Sequence, residues 1–126
     1  MKDAVGEMLQ SSKLPAHKFS CERMLAVGGS ARAVQKLLED MGAPGAHVSE
    51  YPASLLGELV EMIKKDSSSF YKNILKSSAD RIHTFTPGLV LLEAVAQYCG
   101  SRWVITSQYG VREGYLYYLL KEKGVL

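Results

Sequence analysis

A short apolar run that stops at a glycine-containing turn and gives way to helical periodicity occurs twice in this chain, and no other feature of the sequence constrains the fold as tightly. The first copy is Met24-Leu25-Ala26-Val27, then Gly28-Gly29-Ser30, then Val34, Leu37, Leu38 and Met41 along one helical face. The second is Trp103-Val104-Ile105-Thr106, then Ser107-Gln108-Tyr109-Gly110, then a helix carrying Leu116, Leu119 and Leu120. Four-residue runs of apolar, aromatic or β-branched residues suit buried strands, and spacings of three and four suit helices. Two strand, turn, helix units predict an α/β layer whose strand ends and helix N-termini meet on one edge, the edge where open-sheet proteins take ligands. Two strands are too few for a stable open sheet, so the pattern also predicts missing sheet material upstream.

The first turn carries the chemistry. Ser30 is placed to cap the following helix, and Gly42 with Pro44 supplies its stop signal. Glycine lets the backbone approach a ligand closely, and a helix N-terminus offers unpaired N–H groups and partial positive charge. Arg32, in the first helical turn, adds a guanidinium suited to phosphate. The plain alternative is a tight strand-to-helix turn with no ligand, because this glycine turn is much shorter than a full phosphate loop.

Between the two units the pattern is helical. Asp3 to Gln10 reads as a short helix with Val5, Met8 and Leu9 on one side and no evident partner surface, followed by a polar connection through Pro15 and His17. His47 to Tyr51 reads as a brief extended or edge segment, and Pro52 as the opening turn of a helix with a stripe at Leu55, Leu56, Leu59, Val60 and Ile63. A further short helix after Ser67 puts Phe70, Ile74 and Leu75 together, and Pro87 opens a longer one with a face at Leu92, Val95, Ala96 and Cys99, ended by Gly100. The expected organisation is a single α/β unit over 1–126: helix and connection over 1–21, strand, turn and helix over 22–42, a helical part over 46–100, and strand, turn and helix over 101–122.

Composition narrows the function classes. A length of 126 residues fits one domain, and 47% hydrophobic with 22% charged residues fits a folded globular chain. Fifteen Lys and Arg against 13 Asp and Glu leave a net charge of +2, too little for a nucleic-acid or membrane surface, so anion binding has to be local. No apolar stretch reaches the ~18 residues of a membrane span and no signal-peptide core precedes Gln10, so cytoplasmic residence is expected. Cys21 and Cys99 have no metal-ligand spacing and read as reduced thiols, buried as small hydrophobes.

In order and spacing, three segments resemble the exopolyphosphatase and guanosine pentaphosphate phosphohydrolase (Ppx/GppA) family, within the actin and hexokinase structural superfamily. Met24 to Ala33 is similar to that family's strand and its glycine, small residue, arginine turn in the second lobe. Asp80-Arg81 with Pro87-Gly88 resembles its arginine-containing segment, and Gly110-Val111-Arg112-Glu113-Gly114 resembles the G-L-R-E-G stretch closing its catalytic part. The resemblance covers about Glu22 to Leu120 and implies a partial actin-like (ribonuclease H-like) lobe of few strands and several packed helices. It makes Gly28, Gly29, Ser30, Ala31 and Arg32 phosphate- or nucleotide-binding residues, with Arg81 and Arg112 as secondary candidates.

The family's first-lobe phosphate loop, catalytic glutamate and D-x-G-G-G-S motif find no counterpart here. No catalytic residue and no metal ligand is therefore assigned, and Glu113 reads as a structural residue at a helix start. The implied parent enzyme removes terminal phosphate from polyphosphate or pppGpp with Mg2+, while this segment, lacking a first lobe or partner chain, binds no metal alone and is inactive alone. Tyr115, Tyr117 and Tyr118 read as helix packing with one hydroxyl exposed. The alternatives are a non-catalytic α/β interaction module, which would use the Leu55 to Ile63 helix and an unsatisfied sheet edge, with a homodimer among its forms, or a piece of another actin-fold ATPase or kinase.

Overall fold

The computed structural model describes residues 2–13, 15–47 and 49–126, with the backbone alone for Lys2, Ser78 and Arg81. Both apolar runs are strands, β1 (Arg23–Ala26) and β3 (Trp103–Thr106), and they pair in parallel with Met24 beside Val104 and Ala26 beside Thr106. Parallel neighbours require a long crossover. Four helices supply it: α2 (Gly29–Asp40), α3 (Ser54–Lys65), α4 (Ser67–Ser78) and α5 (Phe85–Tyr98). A third strand, β2 (Glu50–Pro52), lies antiparallel on the far side of β3 with Tyr51 beside Val104, giving the order β1-β3-β2. The sheet thus has the strand the two-unit pattern lacked, and β3 is central.

The expected brief segment before Tyr51 is real but shifted. His47 and Glu50 bridge across a turn, and Val48 between them lies outside the described residues. Pro52 belongs to β2 and not to the helix, which begins at Ser54. A three-residue strand at the sheet edge tolerates proline because its missing N–H faces away from the ladder.

Successive strand residues point to opposite faces. Ala26, Tyr51, Val104 and Thr106 are buried on one face, while Leu25 on the other is 64% exposed. The covered face meets a core built from Val34, Leu37 and Leu38 of α2, Leu55, Leu56, Leu59 and Val60 of α3, Phe70 and Ile74 of α4, and Phe85 and Leu89 of α5. The Phe70 and Phe85 rings meet edge-on at 5.8 Å. The α3 stripe is therefore used up inside the chain, which removes it as an association surface. Leu75 is exposed and does not share the Phe70 and Ile74 face, and the α5 face centres on Leu89 and Ala96, with Leu92 packed at its margin.

The amino-terminal helix α1 (Lys2–Ser11) finds its partner in α5. Neither cysteine is buried: Cys21 is exposed and Cys99 partly exposed, both outside the helical core. The Cys21 N–H donates to the Cys99 carbonyl at 3.1 Å, and burial, then the neighbouring Cys21, pushes the Cys99 thiol up. The last helix, α6 (Val111–Glu122), has the expected position but no buried residue. Tyr115, Tyr117 and Tyr118 are all more than half exposed, so they do not pack the helix down; Tyr115 and Tyr118 stack on each other at 6.4 Å.

Candidate functional site

Both strand, turn, helix units deliver their turns to the carboxyl end of the sheet. At the first, Gly28 adopts φ 120° and ψ 178°, a conformation essentially reserved for glycine, and turns the chain straight from β1 into α2. The helix consequently starts at Gly29 and Gly28 is its N-cap, so Ser30 sits two residues too far in to cap it, contrary to the sequence expectation. The first intrahelical bond runs from the Arg32 N–H to the Gly28 carbonyl at 3.1 Å. The N–H groups of Gly29, Ser30 and Ala31 lie ahead of it, and no side chain caps them. No acidic residue stands in this first turn to answer the positive helix end.

At the second turn Gly110 is the N-cap of α6, and the Gly114 N–H reaches its carbonyl at 3.1 Å. Glu113 Oε2 accepts from the Gly110 N–H at 2.8 Å. That bond, then the residue's own N–H, holds the Glu113 carboxyl below the usual carboxylate range, and the nearby Arg112 and Arg32 charges add to the effect. Glu113 is thus a capping residue, as its place in the sequence implied.

Between the two turns lies an open cleft of about 340 Å3, lined by Val27, Gly28, Arg32, Gln108, Gly110, Val111, Arg112 and Glu113. Two guanidinium groups face one carboxylate there, a local balance of +1, and two helix N-termini add partial positive charge. Among the described residues no salt bridge engages Arg32 or Arg112. Such a lining has the chemistry to suit an anion with several oxygens, since arginine forks and helix N–H groups both match phosphate geometry. Larger hollows of about 490 and 590 Å3 run along α3 and α5, the second reaching Arg102 at the amino end of β3, the end of a parallel sheet away from ligands.

The predicted residues divide by position. Gly28 and Arg32 line the cleft, as does Arg112. Ala31 turns its methyl into the core at 3% exposed and has only its N–H to offer. Gly29 and Ser30 are half-buried at the helix start. Arg81 ends a 3-10 turn (Ala79–Arg81) after α4, and its side chain lies outside the described residues.

Sequence reasoning missed the polar bridge that joins the two units behind the cleft. Thr106 Oγ1, at the end of β3, donates to Gln35 Oε1 of α2 at 3.1 Å. Gln35 Nε2 in turn donates to the His47 carbonyl and to Glu39 Oε1, both at 2.8 Å. The Thr106 N–H donates to the Ser49 carbonyl at 2.7 Å, and the Ser107 N–H to the Ala26 carbonyl at 2.9 Å. The one trace of this in the sequence is a glutamine beside Val34 on an otherwise apolar face.

Two of the three segments that carry the resemblance wall the cleft, and the model of the Ppx/GppA phosphatase family matches residues 1–123. The chain belongs to the Ppx/GppA phosphatase family. The six α-helices and small three-stranded sheet of the described residues are consistent with a partial actin-like lobe of that family, which is a family of phosphatases. No curated protein sequence matches the chain. Metal dependence is typical of such phosphatases, but the Ppx/GppA residues present here do not form a magnesium site. Mg2+ takes one or two free carboxylates with substrate phosphates, whereas Glu113, the carboxylate at the cleft, is held by Gly110. Among the described residues no group of three or more His, Cys, Asp or Glu converges. No helix of the described residues is long and apolar enough to cross a membrane.

Proposed function

We propose that this Ppx/GppA chain, as one α/β unit, supplies one wall of a phosphate-binding cleft that works on the terminal phosphoanhydride of inorganic polyphosphate or pppGpp. The observation that carries the reading is the convergence of Arg32 and Arg112 with two helix N-termini on one cleft at the carboxyl ends of parallel strands. Gly28 and the N–H groups of Gly29, Ser30 and Ala31 orient phosphate oxygens, and the two arginines neutralise their charge. The attacking water and Mg2+ belong to residues outside these 126, in a first lobe or partner chain, and the isolated chain is inactive. The reaction is a cytoplasmic one.

Titration of the 126-residue chain with tripolyphosphate, followed by amide NMR, tests the binding claim. Shifts concentrated at Gly28 to Arg32 and Gly110 to Arg112 are expected; none at millimolar ligand overturns it. Metal-dependent phosphate release by the chain alone, abolished by changing one of its own carboxylates, would overturn the claim of inactivity.

A second reading is favoured by α6, whose Val111 is 85% exposed and whose Tyr115 and Leu116 are also exposed. Helices apolar on several sides are buried in their working state. Under this reading the chain is a non-catalytic module that associates with itself or a partner through α6 and the open face of β1, and tripolyphosphate leaves its spectrum unchanged.

A further inference from the structure

Gly88 stands in the first turn of α5, directly after Pro87, and meets the start of α2. A Cβ added to Gly88 would lie 2.6 Å from Ser30 Cβ and 2.7 Å from Ser30 Oγ, with Ser30 Cα next at 3.9 Å. Carbon atoms that are not bonded sit about 3.5–4.0 Å apart, so the two helices touch here with no room for one more methyl. Gly57 and Gly114, also inside helices, face open space. Rotating the serine moves its hydroxyl but not its Cβ, which is one bond from the backbone of the phosphate turn.

We propose that Gly88 is a positioning residue. By letting α5 close onto Ser30, it seats the amino end of α2 at the height where Gly28 and Arg32 receive phosphate. The inference rests on the phosphate-binding reading of that turn and adds to it a residue outside the cleft. A methyl at position 88 must push the Ser30 backbone, and the N–H groups beside it, by roughly 1 Å to restore contact distance. Anion recognition by fixed N–H groups does not tolerate such a displacement.

The test is a set of tripolyphosphate titrations of the chain read by amide NMR, with Ser30 variants as the steric control. Gly88→Ala weakens binding roughly ten-fold, a modest share of what 1 Å misplacements cost in catalytic sites. Adding Ser30→Gly removes both clashing atoms, leaves Cα at 3.9 Å, and returns affinity to that of Ser30→Gly alone. Adding Ser30→Ala keeps the offending Cβ and does not rescue. Unchanged affinity in Gly88→Ala, or equal rescue by Ser30→Ala, overturns the proposal. If Gly88→Ala does not fold, recovery of the folded spectrum with Ser30→Gly and not with Ser30→Ala supports the contact, and no recovery with either overturns it. If the unaltered chain shows no tripolyphosphate shifts, the phosphate reading fails by itself. The seating is then judged without ligand, by whether amides 28–32 move in Gly88→Ala and return with Ser30→Gly.

Discussion

The two strand, turn, helix units share their local grammar and differ in the fate of their helices. In the first, α2 buries Ala31, Ala33, Val34, Gln35, Leu37 and Leu38. In the second, α6 buries nothing. Each helix follows a parallel strand, begins at a glycine N-cap and presents an arginine in its first turn. The difference lies in what stands opposite: α2 is enclosed by α4, α5 and β3, whereas α6 has no comparable packing against another described element. Local signals are therefore enough to start a helix, and burial depends on what the rest of the chain brings to it.

The largest expected effect separates these fates directly. Leu37→Ala should destabilise the chain by about 2–5 kcal/mol in chemical denaturation, the range for deleting a fully buried leucine, while Leu116→Ala stays within about 0.5 kcal/mol. Equal losses would mean that α6 packs in solution and would erase the contrast.

The N-caps differ next. Gly28→Ala should cost about 1–3 kcal/mol and abolish tripolyphosphate shifts, because φ 120° is closed to a side chain even though a Cβ there meets nothing within 4 Å. Gly110 has φ −128°, open to any residue, so Gly110→Ala should cost less than about 1 kcal/mol. A cheap Gly28→Ala would relocate the start of α2.

Gln35→Leu tests the bridge that ties the units together. It leaves the Thr106 hydroxyl and the His47 carbonyl without their buried partner and should cost about 1–3 kcal/mol, with amide shifts spreading from α2 to Ser107 and Gln108. Changes confined to α2 would show that the two turns are held independently.

The smallest effect belongs to Glu113. Its carboxyl is lowered in the folded state, so its contribution to the start of α6 is present above the ordinary carboxylate pKa and is lost as pH falls through the lowered one. Glu113→Gln should remove that pH dependence from the Gly110 and Glu113 amides and leave the unfolding midpoint nearly unchanged. No comparable titration is expected at α2, which has no acidic residue in its first turn.

Much of the fold was legible from local pattern. Short apolar or β-branched runs placed β1 and β3, helical spacings placed the helices, Pro87 marked the opening of α5, and Gly42 and Gly100 marked helix ends. Those signals are short-range, carried by dihedral preference and by the side on which apolar groups fall. The candidate site was legible as two glycine turns with an arginine after each.

Other features needed the assembled chain. Insertion of Pro52 into an edge strand, exposure of Tyr115, Tyr117 and Tyr118, the bridge from Gln35 to Thr106, and the pressing of Gly88 against Ser30 are contacts between residues that no short-range rule relates. By itself the sequence determined that two strand, glycine turn, helix units exist, each with an arginine after its turn. Only the tertiary structure decided that Arg32 and Arg112 face one cleft, because a parallel pairing of β1 with β3 is what brings segments 80 residues apart to the same edge of the sheet.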